Sequence, residues 1–127
     1  MSGFFNNDVI SLTLKELDAI ALRQKTIAQN VANVNTPGYK RLEIRFEDKL
    51  AQVLKKLDEG KLTDADIEDL EPEVVQTKGT TQRQDGNNVN LEVEMTQMLI
   101  NTVLYNTLTQ QLSSQMANLR TAMNDGR

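Results

Sequence analysis

Cysteine and histidine are both absent from these 127 residues, and each absence removes a class of chemistry. Without cysteine there is no disulfide and no thiolate metal site. Without histidine the commonest general base, proton switch and transition-metal ligand is gone. Tryptophan is missing too, and aromatic residues make up only 4%, so a thick core centred on large rings is not expected. No apolar run approaches membrane-spanning length, and Met1–Asn7 lacks the basic start of a secretory signal. Taken alone, that predicts a cytosolic protein, with export by a route that needs no cleaved signal left open. A net charge of −4 argues against nucleic acid as the main partner, because phosphate binding draws on a Lys/Arg excess.

Catalysis has little to work with. The glycines are isolated turn residues rather than a phosphate cradle, no serine stands in a nucleophile elbow, and the carboxylates of the middle lack apolar surroundings that would shift their pKa values. Asp64, Asp66, Glu68 and Asp69 suggest a calcium loop at first sight, yet the sixth position from Asp64 is Asp69, where an EF-hand turn demands Gly. The expectation is a protein that is not an enzyme, with no catalytic, cofactor-binding or metal-binding residue and no small-molecule substrate.

What the chain does have is association surface. From Asn90 to Met123 there is neither Pro nor Gly, and Leu91, Met95, Met98, Thr102, Tyr105, Thr109, Leu112, Met116, Leu119 and Met123 recur at alternating steps of four and three. That is the period of a helix seam that supercoils with neighbours. Asn90 is a good N-cap, Glu92 and Glu94 suit the positive end of the helix dipole, and Gly126 is a stop. A matching stripe runs through Ile10, Leu14, Leu17, Ala21, Ala28 and Val31, widened by Ile20, Ile27 and Val34. These spacings predict helices over 8–34 and 90–124, capped at Asn7 or Asp8 and at Asn90, with Phe4 and Phe5 outside the first helix on a chain end that either frays or anchors on a neighbour.

The middle, 35–89, reads as a compact segment. Thr36-Pro37-Gly38-Tyr39 is a type II turn, with Pro at its second position and Gly at its third. Asn30, Asn33 and Asn35 precede it, more asparagines than a helix stop needs. Tyr39, Leu42, Ile44 and Phe46 alternate with charged residues as in a half-buried strand, and Phe46, Leu50, Val53, Leu54 and Leu57 return to helical spacing over 47–57, ended by Gly60. Thr63 and Asp66 resemble a capping box before Ile67 and Leu70. Val74, Val75 and Thr77 predict a second short strand, and Asp85-Gly86 a tight turn. The charge is blocked: Asp58 to Glu73 holds eight carboxylates and one Lys, whereas Lys40 to Lys56 holds six basic and three acidic residues. Such blocks are usually solvated faces.

The fold expected is therefore a single, mainly α domain. Its long N- and C-terminal amphipathic helices pack as an antiparallel coiled-coil-like pair beside a small middle of short strands and helices. Two helices offer more apolar stripe than they hide from each other, so one or both are expected to be completed by other subunits.

Ala32-Asn33-Val34-Asn35-Thr36-Pro37-Gly38-Tyr39-Lys40-Arg41, with Asn30 upstream, resembles the N-terminal signature of the bacterial flagellar axial proteins, the rod and hook subunits. At the other end, Asp85-Gly86-Asn87-Asn88-Val89-Asn90 leading to Glu94-Met95 and Tyr105 is similar to the proximal-rod branch. The other rod and hook members tend to carry Tyr-x-Ala-Asn in the last helix, and here the stretch is Tyr105-Asn106-Thr107-Leu108. The resemblance implies a structural subunit of the basal body in the cell envelope, exported unfolded through the flagellar type III apparatus without a cleaved signal. There it assembles with its own copies and neighbouring rod proteins into a hollow drive shaft for motility. It implies roles for three residue sets. Asn30, Asn33, Asn35, Thr36, Pro37, Gly38 and Tyr39 form the family signature. Phe46 and Leu50 match the export-gate motif, a Phe followed four residues later by an apolar residue, and serve equally as ordinary core residues. Ile10, Leu14, Leu17, Ala21, Met95, Met98, Tyr105, Leu112, Met116 and Leu119 make the assembly seam. Two rivals use the same stripes: a cytosolic helical adaptor or export chaperone that binds partners through them, and an intracellular coiled-coil regulator. The regulator needs a basic face, and residues 90–119 contain no Lys or Arg.

Overall fold

The computed structural model describes residues 2–79 and 83–126, with side chains from residue 7 onward. Two long helices dominate it. α1 runs Ser2–Ala32 and α4 Leu91–Asp125, the latter about 52 Å long at ~1.5 Å per residue. They pack together in antiparallel fashion, as Asn101 on α4 reaches Ile20 and Gln24 while Glu94 reaches Asn30. α1 begins earlier than the cap at Asn7 or Asp8 predicts. Nothing in Ser2–Asn7 stops a helix: there is no Pro, and the one Gly costs only about 1 kcal/mol against a nucleus already formed downstream. Ser2–Asn7 is thus helical backbone rather than a loose end, and the side chains of Phe4 and Phe5 lie outside the described residues. At its other end α1 stops at Ala32, two residues short of the expected Val34.

Local signals explain the middle. β1 (Leu42–Arg45) pairs antiparallel with β2 (Glu73–Gln76), Leu42 opposite Gln76 and Ile44 opposite Val74. α2 (Glu47–Asp58) follows directly, with Glu47 and Asp48 in its first turn and Lys55 and Lys56 in its last, both signs placed as the helix dipole favours. Gly60 adopts φ 70° just beyond it, a left-handed conformation that glycine takes without strain. α3 (Asp64–Glu68) starts on a complete capping box: Thr63 Oγ1 accepts from the Asp66 N–H, and the Asp66 carboxylate accepts from the Thr63 N–H. The acidic block is therefore not only a solvated face, since it also carries Ile67 and Leu70 into the core.

That core lies between α1 and the middle. Leu12, Ala19, Ile44, Phe46, Val53, Ile67 and Leu70 form it, with Leu22, Leu50, Leu57 and Leu62 packed around them. Arg23 ties the layers together, donating to the Ile44 carbonyl at 3.1 Å and pairing with Glu47 at 2.6 Å. Among the described residues, α4 contributes nothing to this cluster. The less finished element is thus α4: α1 is covered by the middle on one side and by α4 on another, with Leu14 and Ala21 left exposed.

Candidate functional site

The two sequence blocks that stand out, 30–41 and 85–94, fold onto each other where α1 ends and α4 begins. Asn30, completely buried, uses its whole side chain. Nδ2 donates to the Leu42 carbonyl (2.8 Å) and to Glu94 Oε2 (3.2 Å), and Oδ1 accepts from the Leu42 N–H (2.9 Å) and the Tyr39 hydroxyl (3.0 Å). Glu94, with 0% exposure, receives Arg41 Nε at 2.7 Å on its other oxygen. A carboxylate this deep is tolerable only when its lone pairs are met by donors, and here a guanidinium and an amide meet them. Burial pushes the Tyr39 phenol up from its ordinary pKa, and the Glu94 carboxylate nearby adds to that.

The second half of the clasp is Asn87, also fully enclosed. Its Nδ2 donates to the carbonyls of Asn33 and Thr36, both at 2.8 Å, and its Oδ1 accepts from the Val89 N–H at 2.8 Å. The predicted turn is present: the Tyr39 N–H donates to the Thr36 carbonyl at 3.2 Å, and Gly38 has the required positive φ of 74°. The Gly38 N–H then donates to the Asp85 carbonyl at 2.7 Å, Lys40 Nζ donates to the Gly86 carbonyl, and the Arg41 N–H donates to Asn88 Oδ1 at 2.7 Å. Gly86 sits at φ 81°, and a Cβ there would lie 3.6 Å from Gly38 Cα. Asn90 completes the array as the α4 N-cap, accepting from the Glu92 and Val93 N–H groups. The asparagine surplus has its explanation: an amide offers a donor pair and an acceptor on a short stem, which suits backbone groups that no helix or strand satisfies.

The remaining residues singled out from the sequence separate into groups. Asn35, Thr36, Pro37 and Gly38 are exposed, while Asn33 and Tyr39 are half-buried. Phe46 is 3% exposed and Leu50 packs against it, so both are core residues of the folded chain. Leu14 and Ala21 are exposed and Ile10 and Leu17 half-buried; on α4, Met95, Tyr105 and Met116 are exposed while Met98, Leu112 and Leu119 are half-buried. The α4 stripe that turns toward α1 shares Met98, Leu112 and Leu119 with the predicted seam and takes in Glu94, Asn101 and Leu108 besides, whereas Met95, Tyr105 and Met116 are left exposed. Arg41 and Asn101 were not singled out as site residues. Asn101 had a signal, a lone amide inside an apolar run.

Apolar surface is what the site presents outward. Leu91, Val93, Met95, Leu99, Ile100, Val103 and Leu104 leave α4 on every side but the one turned to α1, and they and Tyr105 are all exposed, Leu99 to 66%. A helix apolar all round is one built to be surrounded.

Comparison with known proteins agrees with this reading. Residues 17–40, which include much of the first block, match the family described as Flagella basal body rod protein. The flagellar basal body rod protein FlgB of Bacillus subtilis (strain 168) is 30% identical over 110 residues, covering 84% of this chain and 85% of the relative. The chain belongs to the FlgB family of flagellar basal body rod proteins. FlgB of Borreliella burgdorferi is 27% identical over 113 residues, covering 79% of this chain and 84% of that protein, and FlgB of Escherichia coli (strain K12) is 28% identical over 123 residues, covering 87% and 88%. As a FlgB-type protein it is a structural subunit of the basal-body rod, which assembles with other rod components.

Proposed function

We propose that this rod subunit leaves the cytoplasm as an unfolded chain through the flagellar type III apparatus, without a cleaved signal. It then folds at the growing rod, and neighbouring copies and cousins cover the exposed circumference of α4. The observation that carries this reading is the mismatch on α4: its buried residues are Glu94 and Asn101, whereas Leu91, Val93, Met95, Leu99, Ile100, Val103, Leu104 and Tyr105 are exposed. A monomeric soluble protein rarely exposes so much contiguous apolar surface. Ile10, Leu14, Leu17 and Ala21 on α1, with Met95, Met98, Tyr105, Leu112, Met116 and Leu119 on α4, make the seams that neighbours contact. Head-to-tail contacts related by a screw do not close, so they build a tube. Asn35, Thr36, Pro37 and Gly38 of the signature remain accessible to the next subunit.

The export gate reads Phe46 and Leu50 before folding, because Phe46 is buried afterwards and Leu50 is half-buried against the core. Export and folding then compete for the same two side chains, which orders them in time. The rod reading is tested by fractionation. A tagged chain is expected in purified basal bodies, and recovery only from the cytosol would sink it in favour of an adaptor. Replacing Phe46 by Leu and Leu50 by Ala in turn separates the export reading: loss of secretion with retained expression supports it, and unchanged secretion overturns it.

A further inference from the structure

Apolar burial cannot by itself decide how α4 lies on α1. Leu91, Val93, Met95, Leu99, Ile100 and Val103 spread over roughly half of the helix circumference and are all exposed, while Met98, Leu108, Leu112 and Leu119 lie half-buried on the opposite side. The hydrophobic effect is non-directional, so turning α4 about its axis, or sliding it by a heptad, exchanges one apolar stripe for another. Yet the α4 residues that are buried are both polar, Glu94 and Asn101. They stand seven positions apart, on one line along the helix.

Each meets a fixed partner on α1. Glu94 Oε2 accepts from Asn30 at 3.2 Å, and Asn101 Nδ2 donates to the Ile20 carbonyl at 3.0 Å and to Gln24 Oε1 at 2.9 Å. Asn101 does not add stability in the way an apolar residue would, since its own Oδ1 is buried without a hydrogen-bond partner. A half-satisfied amide in a seam is costly in every alignment, and least costly in the one where its donors are met. That is how a single polar residue selects register in packed helices.

We infer that Glu94 and Asn101 are register pins. They select the face and the axial position in which α4 docks on α1, and so decide which apolar face is left outward. That the outward face serves neighbouring subunits rests on the rod reading; the selection of docking does not.

The absence of cysteine makes the test clean. Ala21 and Thr102 line one groove between the helices, so Ala21→Cys with Thr102→Cys reports the native alignment. Ala21→Cys with Met95→Cys or with Thr109→Cys reports a slide of one heptad, about 10 Å along the axis. With the pins intact, a short thiol-to-thiol cross-linker bridges the first pair in the isolated protein and leaves the other two open. Asn101→Leu is expected to keep the helix content by circular dichroism and to raise the shifted cross-links on the order of tenfold. Gln24→Met, which withdraws a partner without touching α4, is expected to raise them too. Glu94→Gln, which sets an amide donor where the carboxylate accepts from Asn30 or Arg41, is expected to raise them as well. Shifted pairs closing with the pins intact, or both Asn101→Leu and Gln24→Met retaining the native pair alone, would overturn the assignment. Absence of the protein from basal bodies would instead overturn the rod reading and leave this one standing.

Discussion

Asn30 bonds both backbone groups of Leu42, its Nδ2 to the carbonyl at 2.8 Å and its Oδ1 from the N–H at 2.9 Å, doing for the start of β1 what a neighbouring strand does elsewhere. The same side chain holds Glu94 and Tyr39, so three segments distant in sequence meet on one amide. Asn30→Ala leaves the Leu42 backbone and one Glu94 oxygen buried and short of partners. Urea unfolding should show a loss of about 2–4 kcal/mol. Asn30→Asp should be at least as harmful at neutral pH, since it exchanges a donor to Glu94 for a second negative charge; a loss under about 0.5 kcal/mol would mean that the clasp does not organise the fold.

Gly38 and Gly86 face each other with positive φ. Added Cβ atoms would have room at both positions, with nothing within 4 Å of the first and only Gly38 backbone near the second. The cost of Gly→Ala is therefore conformational, about 1–2 kcal/mol at each site. Asn in place of Ala should recover part of it, because asparagine tolerates the left-handed region better. Equal losses for Ala and Asn would show that crowding rather than backbone geometry is the constraint.

The elements of the middle were legible because their signals are local. Pro37-Gly38, Gly60 and the Thr63/Asp66 box each act within four residues, and the structure uses all three as punctuation. The packing of α4 was not legible in the same way. A four-three stripe identifies a docking face only when the rest of the helix is polar, and this helix carries several such stripes at once. The stripe turned to α1 was the one with Glu94 and Asn101 in it, which periodicity of apolar residues passes over. The clasp was half legible: the excess of asparagines marked it, but which asparagine meets which carbonyl is decided over fifty or so residues of chain, as in Asn87 to Asn33.

Two carboxylates predict opposite responses to acid. A side-chain hydrogen bond from Lys56 at 2.6 Å, helped by the Thr63 N–H, holds Asp66 down at about 2, against an ordinary 3.8. Its folded value is the lower one, so its contribution is present above about pH 4 and lost as pH falls toward 2. Glu16 is raised from 4.5, chiefly by burial and secondarily by the Glu47 charge. Its folded value is the higher one, so ionised Glu16 opposes folding at neutral pH, and that opposition is relieved as pH falls through its folded value to below 4.5. Carbon-detected NMR titration should show the Asp66 carboxyl moving up in Lys56→Met, and Glu16→Gln should stabilise the protein at pH 7. Titration of both groups at ordinary values would remove this account.

Leu99 separates folding from assembly, because it is 66% exposed and stands outside the core. Leu99→Asp should change the stability of the isolated protein by no more than about 0.5 kcal/mol, as surface substitutions do. In a packed array the same carboxylate enters an apolar interface, where an unpaired charge costs several kcal/mol, enough to prevent incorporation. On the proposed export route, with Phe46 and Leu50 untouched, secretion should persist. Leu112→Asp is the contrasting case: Leu112 is half-buried on the side turned to α1, so it should lose stability as well as assembly while remaining secreted. Normal motility and normal basal bodies in Leu99→Asp cells would mean that neighbours do not cover this side of α4, and the surplus of apolar surface would need another occupant.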